Sequence, residues 1–287
     1  MKTTIKTLST LGLLLSLTAC MPAEFKMYEE KVKAANNGLG DPDDPPAVCD
    51  PFDTSNNVSA ISGLKGSIHY LKDGQPRSNS STDLINTGTQ LKADLFLSSL
   101  YVPTRIFNSG FVPDGAPGLV NESNQLLIEW FALNLKSKLK LGSADRDGLY
   151  QLAVLSDDGA TLSLQDQNGV FQKLIDNEGT HPTRMACASK VIDMNAASRI
   201  PMNLSYFQGP REHISLILMW RKVDPNASLS DSQCGKEGND YFFNVGNATT
   251  PAVMKSPYQQ LLSRGWKPLS AENFELQEGY NRCNVSR

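Results

Sequence analysis

Tyr150-Gln151-Leu152-Ala153-Val154-Leu155-Ser156-Asp157-Asp158-Gly159-Ala160-Thr161-Leu162-Ser163-Leu164 sets two apolar, β-rich segments on either side of Ser-Asp-Asp-Gly. Residues 149–155 and 160–164 have the length and composition of strands. Asp bonds readily to its own backbone and Gly takes positive φ, so the interval alone reads as a hairpin turn. Working outward, segments 67–71, 91–97, 126–133, 200–207 and 214–220 repeat the strand pattern. The clearest alternation puts Met202, Leu204 and Tyr206 on one face and Asn203 and Ser205 on the other. Turn clusters such as Asp73-Gly74, Asp114-Gly115 and Gln208-Gly209-Pro210 separate the segments. Short alternating strands between such clusters predict an all-β sandwich or barrel.

The amino end has a different texture. Lys2 and Lys6 precede an apolar run at 8–17 that is too short to span a bilayer, and small residues lead to a cysteine in Leu17-Thr18-Ala19-Cys20. Residues 1–19 therefore read as an export signal. The tetrapeptide resembles the lipobox of bacterial lipoproteins, which implies acyl chains on Cys20 and a membrane anchor there. Position 21 is Met and not Asp, which favours the outer membrane or cell surface. Residues 20–57, with Asp41-Pro42-Asp43-Asp44-Pro45-Pro46, read as a flexible tether to a β domain at 58–222. Residues 223–287 read as an irregular cap with one helix, in which Ser256 caps, Pro257 takes the first turn, Gln259 closes a capping box and Gly265 stops the helix.

Without Lys2 and Lys6 the chain carries 25 basic and 30 acidic side chains. There is no basic stripe, so a nucleic-acid partner has no electrostatic support. Setting Cys20 aside, Cys49, Cys187, Cys234 and Cys283 remain, an even number that implies two disulfides in an exported chain. Three connectivities are open. The weakness of the C-terminal cap favours Cys234 with Cys283, leaving Cys49 with Cys187. The three histidines, His69, His181 and His213, sit in no metalloprotease, nucleophile-elbow or phosphate-loop motif, so no catalysis is expected. Trp130, Phe131 and Trp220 lie in apolar segments and read as core.

The 150–164 stretch resembles the PA14 domain, whose hallmark is a strand, an S-D-D-G turn and a second strand. Gly63-Leu64-Lys65-Gly66-Ser67 is similar to that family's opening strand, and Leu174-Ile175-Asp176-Asn177-Glu178-Gly179-Thr180-His181 to its V-I-D-N-x-G-x-H stretch. Segments 200–207 and 214–220 resemble its last two core strands, so the likeness spans about 58–222. It implies a β-sandwich module that, in sugar-binding members, holds calcium through two adjacent aspartates joined by a cis peptide. Asp157 and Asp158 occupy the matching positions. Neighbouring side chains of an extended trans segment point to opposite faces, whereas a cis bond draws the two Cα atoms to about 2.9 Å. Calcium takes six to eight oxygens, so two aspartates leave room for neutral oxygens and sugar hydroxyls. Yeast members add an Asn from a later loop, and the loop after Trp220 offers Asp224 and Asn226. His181 is expected to brace a turn beside the pair. The resulting expectation is a lipid-anchored surface module that binds a glycan through calcium. The alternative is a module of an envelope assembly that docks a protein, its Asp pair only shaping a loop.

Overall fold

The computed structural model describes residues 44–52, 60–111, 119–246, 252–279 and 281–283. The export signal, Cys20 and most of the tether lie outside the described residues. Two sheets pack face to face as a sandwich. The larger runs in the order β1 (Ala47–Val48), β3 (Thr89–Leu97), β2 (Leu64–Tyr70), β5 (Phe131–Leu139), β10 (Ile200–Gln208), β7 (Ala160–Gln165) and β8 (Phe171–Asn177). A short β15 (Phe274–Glu275) also pairs with β5. The second sheet runs β14 (Lys267–Pro268), β11 (His213–Val223), β6 (Gly148–Asp157), β9 (Arg184–Met194), with β4 (Tyr101–Ile106) also on β11. A two-stranded ribbon, β12 (Phe243–Asn244) with β13 (Val253–Met254), two short α-helices, α1 (Ser81–Thr87) and α2 (Ser256–Ser263), and a 3-10 turn (Ala271–Asn273) complete the elements among the described residues.

Alternation along the strands builds the core. On β5, Phe131, Leu133, Leu135 and Leu139 turn inward, while Asn134, Lys136 and Lys138 face away. They meet Leu152 and Val154 of β6 and Leu216, Leu218 and Trp220 of β11. Each such side chain contributes roughly 1.5–3 kcal/mol by leaving water. The opposite face of β6 and β11, with Ala153, Leu155, Ile217 and Met219, is just as buried. Phe242, Phe243, Tyr258, Leu261 and Trp266 from the C-terminal region cover it. That region is thus a cover layer tied into both sheets through β14 and β15. Its clasp is Asp231, whose carboxylate accepts bonds from the Arg264 guanidinium and Trp266 Nε1 and pairs with Arg221. Against the upward push of burial, the Arg264 and Trp266 bonds and the Gln233 amide hold this carboxyl down at about 2.

Several expectations shift. The strand expected at 126–133 begins only at Phe131, because Trp130 sits at φ 55° and ends the apolar run as a loop. β4, β8, β9 and α1 carry too few apolar residues in step for their sequence to announce them. The first described part of the tether is not free chain, since Ala47 and Val48 pair in parallel with Asp94 and Leu95. In α2 the cap is Lys255 without a side-chain bond, and Ser256 already lies in the first turn, where its hydroxyl accepts from Gln260 Nε2.

The disulfide pairing also differs. Cys49 bonds Cys283 and Cys187 bonds Cys234, with Cα separations of 5.5 and 5.6 Å. Arg282 binds Asp94 and the Pro45 carbonyl, which brings Cys283 against the chain leaving β1. Backbone bonds from Gly235 to Met185 and from Met185 to Lys236 lay residues 234–236 along β9, beside Cys187. The cover layer is therefore fastened at two separate points of the sandwich and not to itself.

Candidate functional site

Three connections between the sheets meet at one end of the sandwich: residues 158–159 between β6 and β7, 178–183 between β8 and β9, and 209–212 between β10 and β11. β6 and β7 belong to different sheets, so Asp157-Asp158-Gly159 is a crossing and not the hairpin turn that its sequence suggests. Gly159 has no positive φ; its role is room. A Cβ there would lie 2.4 Å from Phe207 Cε1 and 3.0 Å from the Gly179 nitrogen.

Asp158 links all three connections. Its Oδ1 accepts from the His181 amide at 3.0 Å and its Oδ2 from the Gly209 amide at 2.7 Å. The His181 ring is fixed between the Asn177 and Pro182 carbonyls, so it braces the second connection as expected. Asn177 extends the brace by donating to Ser156 Oγ and accepting from Arg184 Nε. The peptide joining Asp157 to Asp158 is cis, and the two residues are 5% and 3% exposed. The Tyr206 hydroxyl proton is shared between the Asp157 carbonyl and Gln208 Oε1. Asp157 Oδ2 is different: it is buried and has no hydrogen-bond partner.

Burial, helped by the charge of Asp158, pushes the Asp157 carboxyl up to about 8. Burial also raises Asp158, opposed by its bonds from Gly209 and His181. A buried carboxylate oxygen without a donor, beside a second carboxylate, suits a hard cation, whose charge removes the penalty of ionising both. Among the described residues no cluster of three or more His, Cys, Asp or Glu side chains could hold a metal. A cation at this pair would have to complete its shell from neutral oxygens.

No protein-family model matches the chain, and no curated protein does. Solved structures do, several PA14 domains among them. A PA14 sugar-binding domain from an RTX adhesin is 17% identical, with 57% of this chain and 91% of that one covered and a TM-score of 0.41. The PA14 domain of the MpAFP antifreeze protein is 11% identical over 72% of this chain and 98% of that one, with a TM-score of 0.42. The epithelial adhesin 6 A domain of Candida glabrata, in complex with Galβ1-3GlcNAc, is 15% identical over 67% and 92%, with a TM-score of 0.40.

The structure does not bring Asp224 and Asn226 to the aspartate pair. Ser215 of β11 lies opposite Asp157, whereas Val223 lies opposite Leu149. The loop after Trp220 is consequently at the far end of the strand, about 30 Å away at ~3.3 Å per residue. There the Asp224 backbone carbonyl accepts from the Ala227 amide in an exposed turn. The loop that does reach the pair is 209–212, which the sequence marked only as a turn cluster. Trp130 belongs to this neighbourhood too: its amide donates to the Gly209 carbonyl at 3.2 Å. It is half-buried, with the Arg77 guanidinium 4.3 Å over its ring, and is not a core residue, unlike Phe131 and Trp220. Glu129 pairs with Arg211 on the same rim.

Proposed function

We propose that this protein is a lipid-anchored module of the bacterial cell surface that binds a glycan through calcium at Asp157 and Asp158, with no catalysis of its own. One observation carries the reading: the unpartnered Oδ2 of buried Asp157, next to a second buried carboxylate where three connections converge. Calcium prefers hard oxygen donors in sets of six to eight, so the two carboxylates would neutralise the ion. Carbonyls or hydroxyls of the surrounding loops and sugar hydroxyls would supply the rest. The adhesin domain described above as sugar-binding and the Candida glabrata domain in complex with Galβ1-3GlcNAc make glycans the first ligands to test.

The direct experiment is a glycan array probed with the full chain in calcium and in chelator. Binding is expected in calcium alone and is expected to vanish in Asp157→Asn; binding that persists in chelator would overturn the calcium-dependent reading. The anchor is tested separately. Cells fed labelled palmitate should label the wild type and not Cys20→Ser, and a variant that still takes label removes Cys20 from the proposal.

A second reading is favoured by a specific observation: both Asp158 oxygens already accept amide protons and tie the connections together without an ion. In that reading the pair is a brace, and the protein docks another envelope protein. Calcium-dependent melting separates the two readings.

A further inference from the structure

The aspartate pair is closed to solvent. Asp157 and Asp158 are buried, and Asp157 Oδ2 has essentially no accessible surface. Gly209 sits directly on the other carboxylate, since a Cβ at this position would lie 3.0 Å from Asp158 Oδ2 and 3.5 Å from Thr180 Oγ1. A cation, or water to solvate the Asp157 carboxylate, therefore reaches the pair only when part of this cover moves.

The two connections that bond to Asp158 are fastened very differently. Along 178–183, the Glu178 carboxylate accepts from the Ser81 amide and hydroxyl, the Gly179 amide donates to the Asn79 carbonyl, and the Thr180 hydroxyl donates to Asn79 Oδ1. The His181 ring is held between two carbonyls, and the Thr183 amide donates to Asn239 Oδ1. Along 209–212 only the ends are anchored so firmly: Gln208 lies within β10, and the Glu212 carbonyl accepts from the Phe107 amide at 2.8 Å. Pro210, Arg211 and Glu212 are exposed. Between the ends, two residues hold the segment to the rest of the fold. Gly209 donates to Asp158 and accepts from the Trp130 amide, and Arg211 meets Glu129, its amide 3.3 Å from Oε2 and its Nε 3.4 Å from Oε1. The partner plate, Glu129 and Trp130, is steadied by the Arg77 guanidinium over the Trp130 ring and by Phe131, the buried first residue of β5. The Arg211–Glu129 pair is 57% and 31% exposed, so it is a weak fastening that solvent and salt can release.

We propose that residues 209–211 are a lid over the aspartate pair, latched by Arg211 on Glu129, and that the pair takes up its cation only while the lid is open. The identity of the ion rests on the calcium reading above; the lid rests on geometry alone. Opening requires the Gly209 amide to leave Asp158 Oδ2, while the His181 amide stays on Oδ1.

The test uses that pair of amides, which sit on the two oxygens of one carboxylate. Local opening lets a hydrogen-bonded amide exchange with solvent. Hydrogen exchange of the full chain in chelator, followed by NMR and corrected for intrinsic rates, should find Gly209 at least tenfold faster than His181. Glu129→Ala should speed exchange at Gly209 by about two- to fivefold, the loss of one exposed ion pair, and leave His181 unchanged. Gly209→Ala, whose methyl crowds Asp158 Oδ2, should also speed the amide at position 209. Lys255→Gln removes an exposed ion pair with Asp240 in the cover layer and should change neither amide. Gly209 as slow as His181, or no change at Gly209 in Glu129→Ala, overturns the lid. In stopped-flow mixing with calcium, Glu129→Ala should bind faster by the same factor as its Gly209 exchange; an unchanged rate overturns uptake through the lid. Absence of any calcium binding would overturn the calcium reading, and uptake with it, while the exchange rates decide the lid on their own.

Discussion

In chelator above neutral pH, Asp157→Asn should melt at a higher temperature than the wild type, and it should lose the rise in melting temperature that calcium gives the wild type. The Asp157 carboxyl is raised to about 8 in the folded protein, by burial first and by Asp158 second. The folded state thus binds this proton more tightly than the unfolded chain, where an Asp titrates near its ordinary value of about 3.9. The resulting stability is fully present below about pH 4 and is lost as pH rises through about 8, at up to roughly 1.4 kcal/mol per pH unit. Asn cannot ionise, so the slope should flatten in the variant. Calcium acts with the opposite sign because it binds the ionised form, so its affinity should climb with pH until about 8. At a hundredfold excess over Kd it should add about 2.7 kcal/mol. Thermal unfolding of wild type and variant between pH 6 and 9, with and without calcium, checks both halves. Coincident wild-type curves in calcium and chelator at every pH would defeat the metal proposal and leave Asp158 as a brace.

The second large effect lies at the disulfides. Cys49 and Cys283 are 234 residues apart in sequence, so the chain-entropy model gives a stabilisation of about 5 kcal/mol for this bridge. Cys187 and Cys234 are 47 apart, which corresponds to about 4 kcal/mol. Replacing both members of either pair by Ser should lower the unfolding free energy by amounts of that order in denaturant titrations of the oxidised protein. The 49–283 variant should also expose the β1 edge, because the bridge holds Ala47 and Val48 beside Asp94 and Leu95. Peptide mapping without reductant should recover Cys49 with Cys283 and Cys187 with Cys234. A Cys234–Cys283 peptide, or a loss below 1 kcal/mol in either double variant, would reject this account.

Local alternation was legible in the chain itself. Met202, Leu204 and Tyr206 against Asn203 and Ser205, and Leu152 and Val154 on β6, specify strands with one face in a core, because side chains of a strand alternate and water excludes the apolar set. The adjacent aspartates stood out as a candidate site through the resemblance to the PA14 domain, since their interval alone reads as a hairpin turn. Features that depend on partners distant in sequence were not. A strand, a short polar interval and a strand look alike whether the strands pair with each other or enter separate sheets. Here β6 is buried on both faces, and its second face needs Phe242, Tyr258 and Trp266, far along the chain, to cover it. The same holds for the cysteines, whose spacing permits three pairings until β1 and β9 bring two of them about. It also holds for Asp224 and Asn226, which lie beyond the right strand but leave it at the wrong end. Sequence patterns report the contacts a residue makes with water and with near neighbours. The site is assembled by contacts over 23 and 51 residues, from Asp158 to His181 and to Gly209, and those depend on how the two sheets close over one core.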